Sequence, residues 1–201
     1  MKRYFINEDG WANDAERQPS PNFDARQPGT AIDLLVIHNI SLPPDQFGGP
    51  YIADLFGNRL DCDAHPYFDQ LRTLKVSAHF LIRRDGHVMQ FVSANDRAWH
   101  AGLSSFCGRE RCNDFSIGIE LEGSDFQPFE PAQYEALSTL TAALQHRYPL
   151  AAVAGHEHIA PGRKTDPGPF FEWERYRKSL IHQTVGQTSE PSSLKTLAFP
   201  A

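Results

Sequence analysis

The sequence has no apolar run approaching the roughly 20 residues that a membrane-spanning helix needs, so neither a transmembrane helix nor a membrane partner is expected. Cysteine is scarce: Cys62, Cys107 and Cys112 are an odd set that cannot all pair with one another. No C-x-x-C pair exists, which argues against a cysteine-rich zinc site, and the odd count fits reduced thiols in a cytoplasm. Positive charge is in deficit, with 19 Lys and Arg against 25 Asp and Glu and a net charge of -6. A general nucleic-acid binder needs a basic surface and is excluded on that ground. Lys2 and Arg3 precede no apolar h-region, so a secretory signal is not expected either. No internal repeat is evident.

A chain of 201 residues is enough for one well-buried domain. Its most informative segment is Asp33-Leu34-Leu35-Val36-Ile37-His38-Asn39, an apolar run that ends in an imidazole just before Ser41-Leu42-Pro43-Pro44. Such a run predicts a buried strand, and a strand end is where α/β proteins place functional groups.

Residues 1–30, broken by Pro19 and Pro21, predict an irregular arm anchored by Trp11 and Phe23. Gly48-Gly49-Pro50 opens a short helix through Leu55 and Phe56. Residues 61–73 predict a surface loop. Two β-rich runs between Val76 and Val92 flank Asp85-Gly86, a favoured hairpin dipeptide. Residues 93–113, with Trp99-His100-Ala101-Gly102 and Arg109-Glu110-Arg111, predict a long loop.

Phe115 to Gly123 alternates strictly, with Phe115, Ile117, Ile119 and Leu121 on one face and Ser116, Gly118, Glu120 and Glu122 on the other. Pro131 starts a helix in which Tyr134, Leu137, Leu140, Thr141, Leu144 and Tyr148 recur at helical spacing, and Pro149 ends it. Ala151 to Ala154 predict a short strand delivering His156. A last helix runs from Phe171 to about Ile181, with Phe171, Trp173, Tyr176 and Leu180 packing, and a mobile tail is expected from Gly186. The predicted class is mixed α/β: one domain with a central mixed sheet flanked by helices, divided as an arm over 1–30, the domain over 31–182 and a flexible tail over 183–201.

A catalytic zinc takes three nitrogen or carboxylate ligands and leaves a position open. His38, His156 and Asp166 supply two imidazoles and a carboxylate, each at a strand end or in a turn. Spacing alone leaves the choice open, because His158 competes with His156, and His65, His79 and His100 have the same chemistry. Glu120 lies beside Gly118, which has no side chain and so leaves room for substrate or water; a carboxylate there suits proton transfer. Lys164, two residues before Asp166, suits stabilisation of an oxyanion. Arg111 and Lys75 offer an anion-binding edge, and Trp99 and Phe106 offer rings for stacking.

Taken together, Val36 to Pro44, Val76 to His79, Arg97 to Gly102, Arg109 to Gly123 and Ile159 to Gly168 resemble the zinc N-acetylmuramoyl-L-alanine amidases. The similarity is to the cytoplasmic, Gram-negative branch acting on 1,6-anhydro-muropeptides, and it runs from about Gly10 to Tyr176. The resemblance implies the fold shared with peptidoglycan recognition proteins, and one Zn²⁺ per chain held by His38, His156 and Asp166. It selects His156 over His158 as the His directly after Gly155. It also implies Glu120 as the acid/base and Lys164 as the transition-state stabiliser, with Arg111, Asn39, Lys75 and Trp99 contacting a muropeptide. The reaction implied is hydrolysis of the amide between 1,6-anhydro-N-acetylmuramic acid and L-alanine of the stem peptide, by a monomer recycling cell-wall fragments. Where such fragments induce β-lactamase, loss of the enzyme would raise that expression. His158, Cys107, and Lys75 in place of the commoner Arg depart from the pattern.

Overall fold

A computed structural model describes residues 3–185 and 196–200. The strands are β1 (Glu16–Arg17), β2 (Phe23–Asp24), β3 (Leu34–Ile40), β4 (Phe80–Ile82), β5 (Val88–Gln90), β6 (Arg97–Ala98), β7 (Ser105–Phe106), β8 (Arg109–Glu110), β9 (Ser116–Glu122) and β10 (Ala152–Gly155). The helices are α1 (Tyr51–Phe56), α2 (Pro131–Arg147), α3 (His156–Ile159) and α4 (Trp173–Val185), with 3-10 turns at Pro66–Leu71 and Cys112–Asp114. A six-stranded mixed sheet in the order β1-β5-β4-β9-β3-β10 forms the centre. Only β4 and β5 pair antiparallel; the other neighbours are parallel.

The apolar run of β3 is explained by its place in the middle of this sheet, covered on both faces. Leu35 and Ile37 join Ile117, Ile119, Phe80 and Ile82 beneath α2 and α4. Leu34 and Val36 face the other way, into a cluster with Ala101, Phe115, Ala152 and Ile159. His38 continues that second parity. A third cluster packs α1 and the first 3-10 turn against Leu81, Met89 and Phe91.

Helix α2 starts as its sequence dictates: Pro131 occupies the first turn, and Glu130 and Gln133 form a capping box. Its apolar positions, Tyr134, Leu137, Leu140 and Leu144, are buried against the sheet. At roughly 1.5–3 kcal/mol for each large side chain removed from water, such contacts dominate the helix's stability. The buried Gln133 amide also donates to the Ile82 and Glu122 carbonyls, at 3.2 and 3.0 Å, where β4 and β9 end. Thr141 and Tyr176 meet at 2.6 Å between their hydroxyl oxygens and tie α2 to α4.

Several expectations require correction. The loop over 61–73 contains the 3-10 turn at Pro66–Leu71, held because Phe68 is fully buried in the α1 cluster. Phe23 is 42% exposed and holds the arm through the pairing of β2 with β6 rather than by burying its ring; the buried side chains of the arm include Tyr4, Ile6, Ala12, Ser20 and Asn22. The arm is also not wholly irregular, since β1 pairs with β5 as the sheet's edge. The Asp85-Gly86 hairpin has shorter strands than its β-rich runs, joined through Arg83–His87, with Gly86 at φ +81°. The segment over 93–113 folds into β6, β7 and β8 rather than a plain loop. Residues 186–195 of the expected tail lie outside the described residues, but Leu197 is buried and Ala198 bridges to Ala152, so the chain's end packs back on the sheet. The three cysteines are unpaired.

Candidate active site and metal centre

Three parallel strands end at the same edge of the sheet, where open α/β sheets place their ligand sites. His38 of β3 and Glu120 of β9 are register partners, so their side chains leave the same face side by side. On the opposite flank of β3, β10 pairs Gly155 with Ile37, and His156 follows as the first residue of α3. Asp166 reaches the same point from the turn after α3, whose Glu157 amide donates to the Asp166 carbonyl at 2.9 Å.

The His38 Nδ1, His156 Nδ1 and Asp166 Oδ2 atoms form a tight triangle. His38 Nδ1 lies 3.0 Å from His156 Nδ1 and 2.9 Å from Asp166 Oδ2, and the third side is 3.1 Å. Among the described residues this is the one such cluster of potential metal donors. Ala101 supplies the test of whether a cation fits. Its carbonyl, 3.0 Å from His156 Nε2, can only accept, so neutral His156 carries its proton on Nε2 and turns a lone pair inward. Burial depresses His38 to about 4 against the opposing pull of Asp166, so it is neutral at physiological pH. Burial alone would raise the Asp166 carboxyl, but the two facing imidazoles outweigh it and keep the group below the usual carboxylate range. Two imidazoles and a carboxylate packed at these distances fit a metal ion.

Glu120 is buried, with Oε2 left without a hydrogen-bond partner. Its carboxyl is pushed well above the ordinary value, first by burial and then by Asp166, with Lys164 opposing. A buried acid of this kind, beside three converging donors, is poised to exchange protons with whatever enters.

The groove over this site has a volume of about 360 Å³, and its wall includes Asn39, Trp99, Lys164 and the apolar Leu42, Tyr67 and Leu74. Asn39 donates its amide to Asp125 Oδ1 at 2.7 Å and to the Pro167 carbonyl at 3.1 Å, holding the Asp166 turn. The Trp99 indole donates to Asp24 at 2.7 Å, which fixes the ring in the groove wall. Arg111 and Lys75 are exposed and are not part of that wall, and Arg111 pairs with Asp114 at 3.2 Å. Phe106 packs against the cluster around Leu34 and Val36.

The competing histidines are sorted by their partners. His158 Nδ1 accepts from the Gly155 amide at 2.9 Å, and its ring packs edge-on against Trp173, away from the triangle. His79 accepts from the Gly118 amide at 3.0 Å and faces the Asp96 carbonyl at 3.0 Å, so both its nitrogens are used by the backbone. His65 caps the first 3-10 turn. His100 sits beside His38, with His38 Nε2 and His100 Nδ1 3.0 Å apart. The space expected beside Gly118 belongs to His100, whose ring would lie 2.4 Å from a Cβ at that position. Sequence reasoning missed this pairing; a glycine inside a strand, where another group approaches closely, was its one signal.

The family model described as N-acetylmuramoyl-L-alanine amidase matches residues 28–169. The chain belongs to the N-acetylmuramoyl-L-alanine amidase family. The enzyme is 56% identical over 172 residues to the 1,6-anhydro-N-acetylmuramyl-L-alanine amidase AmpD of Citrobacter freundii, covering 85% of this chain and 92% of that one. It is 54% identical over 180 residues to AmpD of Escherichia coli K12, covering 89% and 98% of the two chains. A crystal structure of a selenomethionine AmpD derivative superposes with a TM-score of 0.85 at 54% identity, covering 90% of this chain and 99% of that one. The amidase AmiD of E. coli, solved with the substrate anhydro-N-acetylmuramic acid-L-Ala-D-γ-Glu-L-Lys, matches with a TM-score of 0.55 at 29% identity, over 96% of this chain and 69% of its own.

Proposed function

We propose that this amidase is zinc-dependent and hydrolyses the amide joining 1,6-anhydro-N-acetylmuramic acid to the L-alanine of a stem peptide, recycling peptidoglycan fragments in the cytoplasm. The observation that carries the reading is the triangle of His38, His156 and Asp166 next to the buried, unpartnered Oε2 of Glu120. The activities of the AmpD and AmiD relatives support the substrate class. The cytoplasmic assignment rests on the resemblance to that branch and is in keeping with three unpaired thiols.

Zinc suits the donor set. Two imidazole nitrogens and a carboxylate oxygen are its usual catalytic ligands, and donors about 2.0–2.1 Å from a tetrahedral ion stand roughly 3.3 Å apart, close to the spacings here. When bound, the ion supplies Lewis acidity, lowering the pKa of a water toward 7 and polarising a carbonyl. One ion per monomeric chain is sufficient.

The chain's own groups perform the proton transfers. Glu120 Oε2 takes a proton as water attacks the lactyl carbonyl, and returns it to the alanine nitrogen as the C–N bond breaks. The Lys164 ammonium, in the groove wall, offsets the negative charge that gathers on the former carbonyl oxygen. Asn39 and Trp99 position the fragment from the wall. Arg111 and Lys75, further out, contact the carboxylates of its peptide.

Purified protein should release peptide from anhydro-muramyl-peptide, lose that activity on chelation and regain it with zinc. A zinc-loaded protein that binds the muropeptide without cleaving it would refute the proposal. Comparison of anhydro with reduced muramyl substrates tests the sugar assignment separately.

A further inference from the structure

We infer that His100 and Ser116 are positioning residues that fix the proton of His38 on Nε2 and thereby hold its Nδ1 lone pair at the metal centre. The inference rests on the assignment of His38, His156 and Asp166 as metal ligands.

The Cys112 carbonyl only accepts, and it lies 2.6 Å from Ser116 Oγ, so the serine hydroxyl hydrogen points at it. Ser116 Oγ is then an acceptor toward His100 Nε2, 3.2 Å away. Neutral His100 therefore carries its proton on Nε2 and presents a lone pair at Nδ1. That lone pair faces His38 Nε2 at 3.0 Å, so His38 must donate there. The remaining nitrogen of His38, Nδ1, has no proton and points into the triangle. A ligating histidine commonly has its other nitrogen tied to a carboxylate or carbonyl; here two side chains pass the same constraint on from a backbone carbonyl.

The surroundings keep the relay in place. Ser116, His38 and His100 are all buried, which leaves water little access to the bonds between them. Ser116, Gly118 and Glu120 share one face of β9, and the missing side chain at Gly118 is the seat of the His100 ring. Asn113 Oδ1 accepts the backbone amides of both His100 and Ala101, at 3.1 and 2.8 Å. That dipeptide consequently secures both histidine ligands, His38 through the His100 side chain and His156 through the Ala101 carbonyl. Arg163 donates to the same Ala101 carbonyl at 2.9 Å and steadies it.

Two measurements on the full chain test the relay. Nitrogen-15 NMR of the zinc-loaded, histidine-labelled protein should find His38 and His100 both protonated on Nε2, and chelator competition should give the zinc affinity of each variant. Ser116→Ala is expected to weaken zinc roughly 10-fold and His100→Phe up to roughly 100-fold, the usual scale for losing a ligand's outer partner. Ser116→Thr, which keeps the hydroxyl, should restore most of the affinity. A His100 proton found on Nδ1 in the unsubstituted protein would overturn the relay whatever the variants do, as would Ser116→Ala binding zinc as tightly as the parent. Failure of the parent itself to bind zinc would instead overturn the metal assignment beneath it.

Discussion

Replacing Gly118 by Ala tests the packing of the site without touching a ligand. The residue has an ordinary extended backbone, so by intrinsic preference alone alanine would stabilise the strand by about 0.5–1 kcal/mol. The structure predicts the opposite sign. A Cβ at this position would lie 2.4 Å from His100 Cγ, 2.5 Å from Nδ1 and 2.8 Å from Cδ2, against an optimal contact of about 3.5–4.0 Å. The ring would have to retreat by about 1 Å, but it is held by His38, by Ser116 and by the Asn113 contact to its backbone. Overpacking of a dense core costs about 1–3 kcal/mol, and each strained hydrogen bond adds about 1. We therefore expect Gly118→Ala to lose about 1–3 kcal/mol in urea unfolding of the metal-free protein. The double variant Gly118→Ala/His100→Ala removes the clashing ring, and its loss should fall short of the summed single losses by about 1 kcal/mol or more. An alanine variant as stable as the parent, or strictly additive losses, would refute the close approach of His100 to β9.

Other outcomes follow from the same geometry. His156→Ala should abolish stoichiometric zinc binding, whereas His158→Ala should retain it and lose only about 1 kcal/mol of stability with its bond from the Gly155 amide; the reverse pattern in a metal assay would exchange their roles. Glu120→Gln should keep zinc while kcat falls by roughly 10² or more, and full activity would remove this carboxyl from proton transfer. His79, depressed to about 3 by burial and by the Arg26 charge, binds its proton later in the folded than in the unfolded chain as pH falls. Its contribution to stability is therefore lost from about pH 6.5 downward, at up to about 1.4 kcal/mol per pH unit. Urea titrations of the metal-free protein should show a shallower acid slope for His79→Gln, and equal slopes would show that His79 is not buried neutral.

The elements that could be read from sequence are those whose period the fold preserves. β9 alternates because one parity packs under α2 and the other lines the site, and α2 shows its helical spacing because one side rests on the sheet. β1, two charged residues long, carries no periodic signal and forms only because the arm is carried along β5. The 3-10 turn at Pro66–Leu71 rests on His65 as its cap and on Phe68 as its one fully buried residue, a short segment with no periodic signal. The histidines were the harder problem, since chemistry offers every imidazole the same roles. What separates His79, His100 and His158 from the ligands is which backbone and side-chain groups meet their ring nitrogens, and that information exists only after folding. Charge type alone also does not reveal that Arg111 and Lys75 stand outside the groove wall.

The register of β9 against β3 ties folding to chemistry. β3 is apolar on both faces, so hydrophobic burial alone tolerates either parity for that strand. β9 is not indifferent: a slip of one residue would turn Ile119 toward His100 and drive Glu120 beneath α2. Ile119 would then occupy the seat that only a glycine leaves open, and an ionisable carboxyl would be buried among Ile37, Phe80 and Leu137 with no partner. The native register avoids both costs by setting Ser116, Gly118 and Glu120 opposite Leu34, Val36 and His38. The polar parity of β9 thus selects the alignment of the central strands, and in that alignment the acid, the ligand and the ligand's positioning residue stand together.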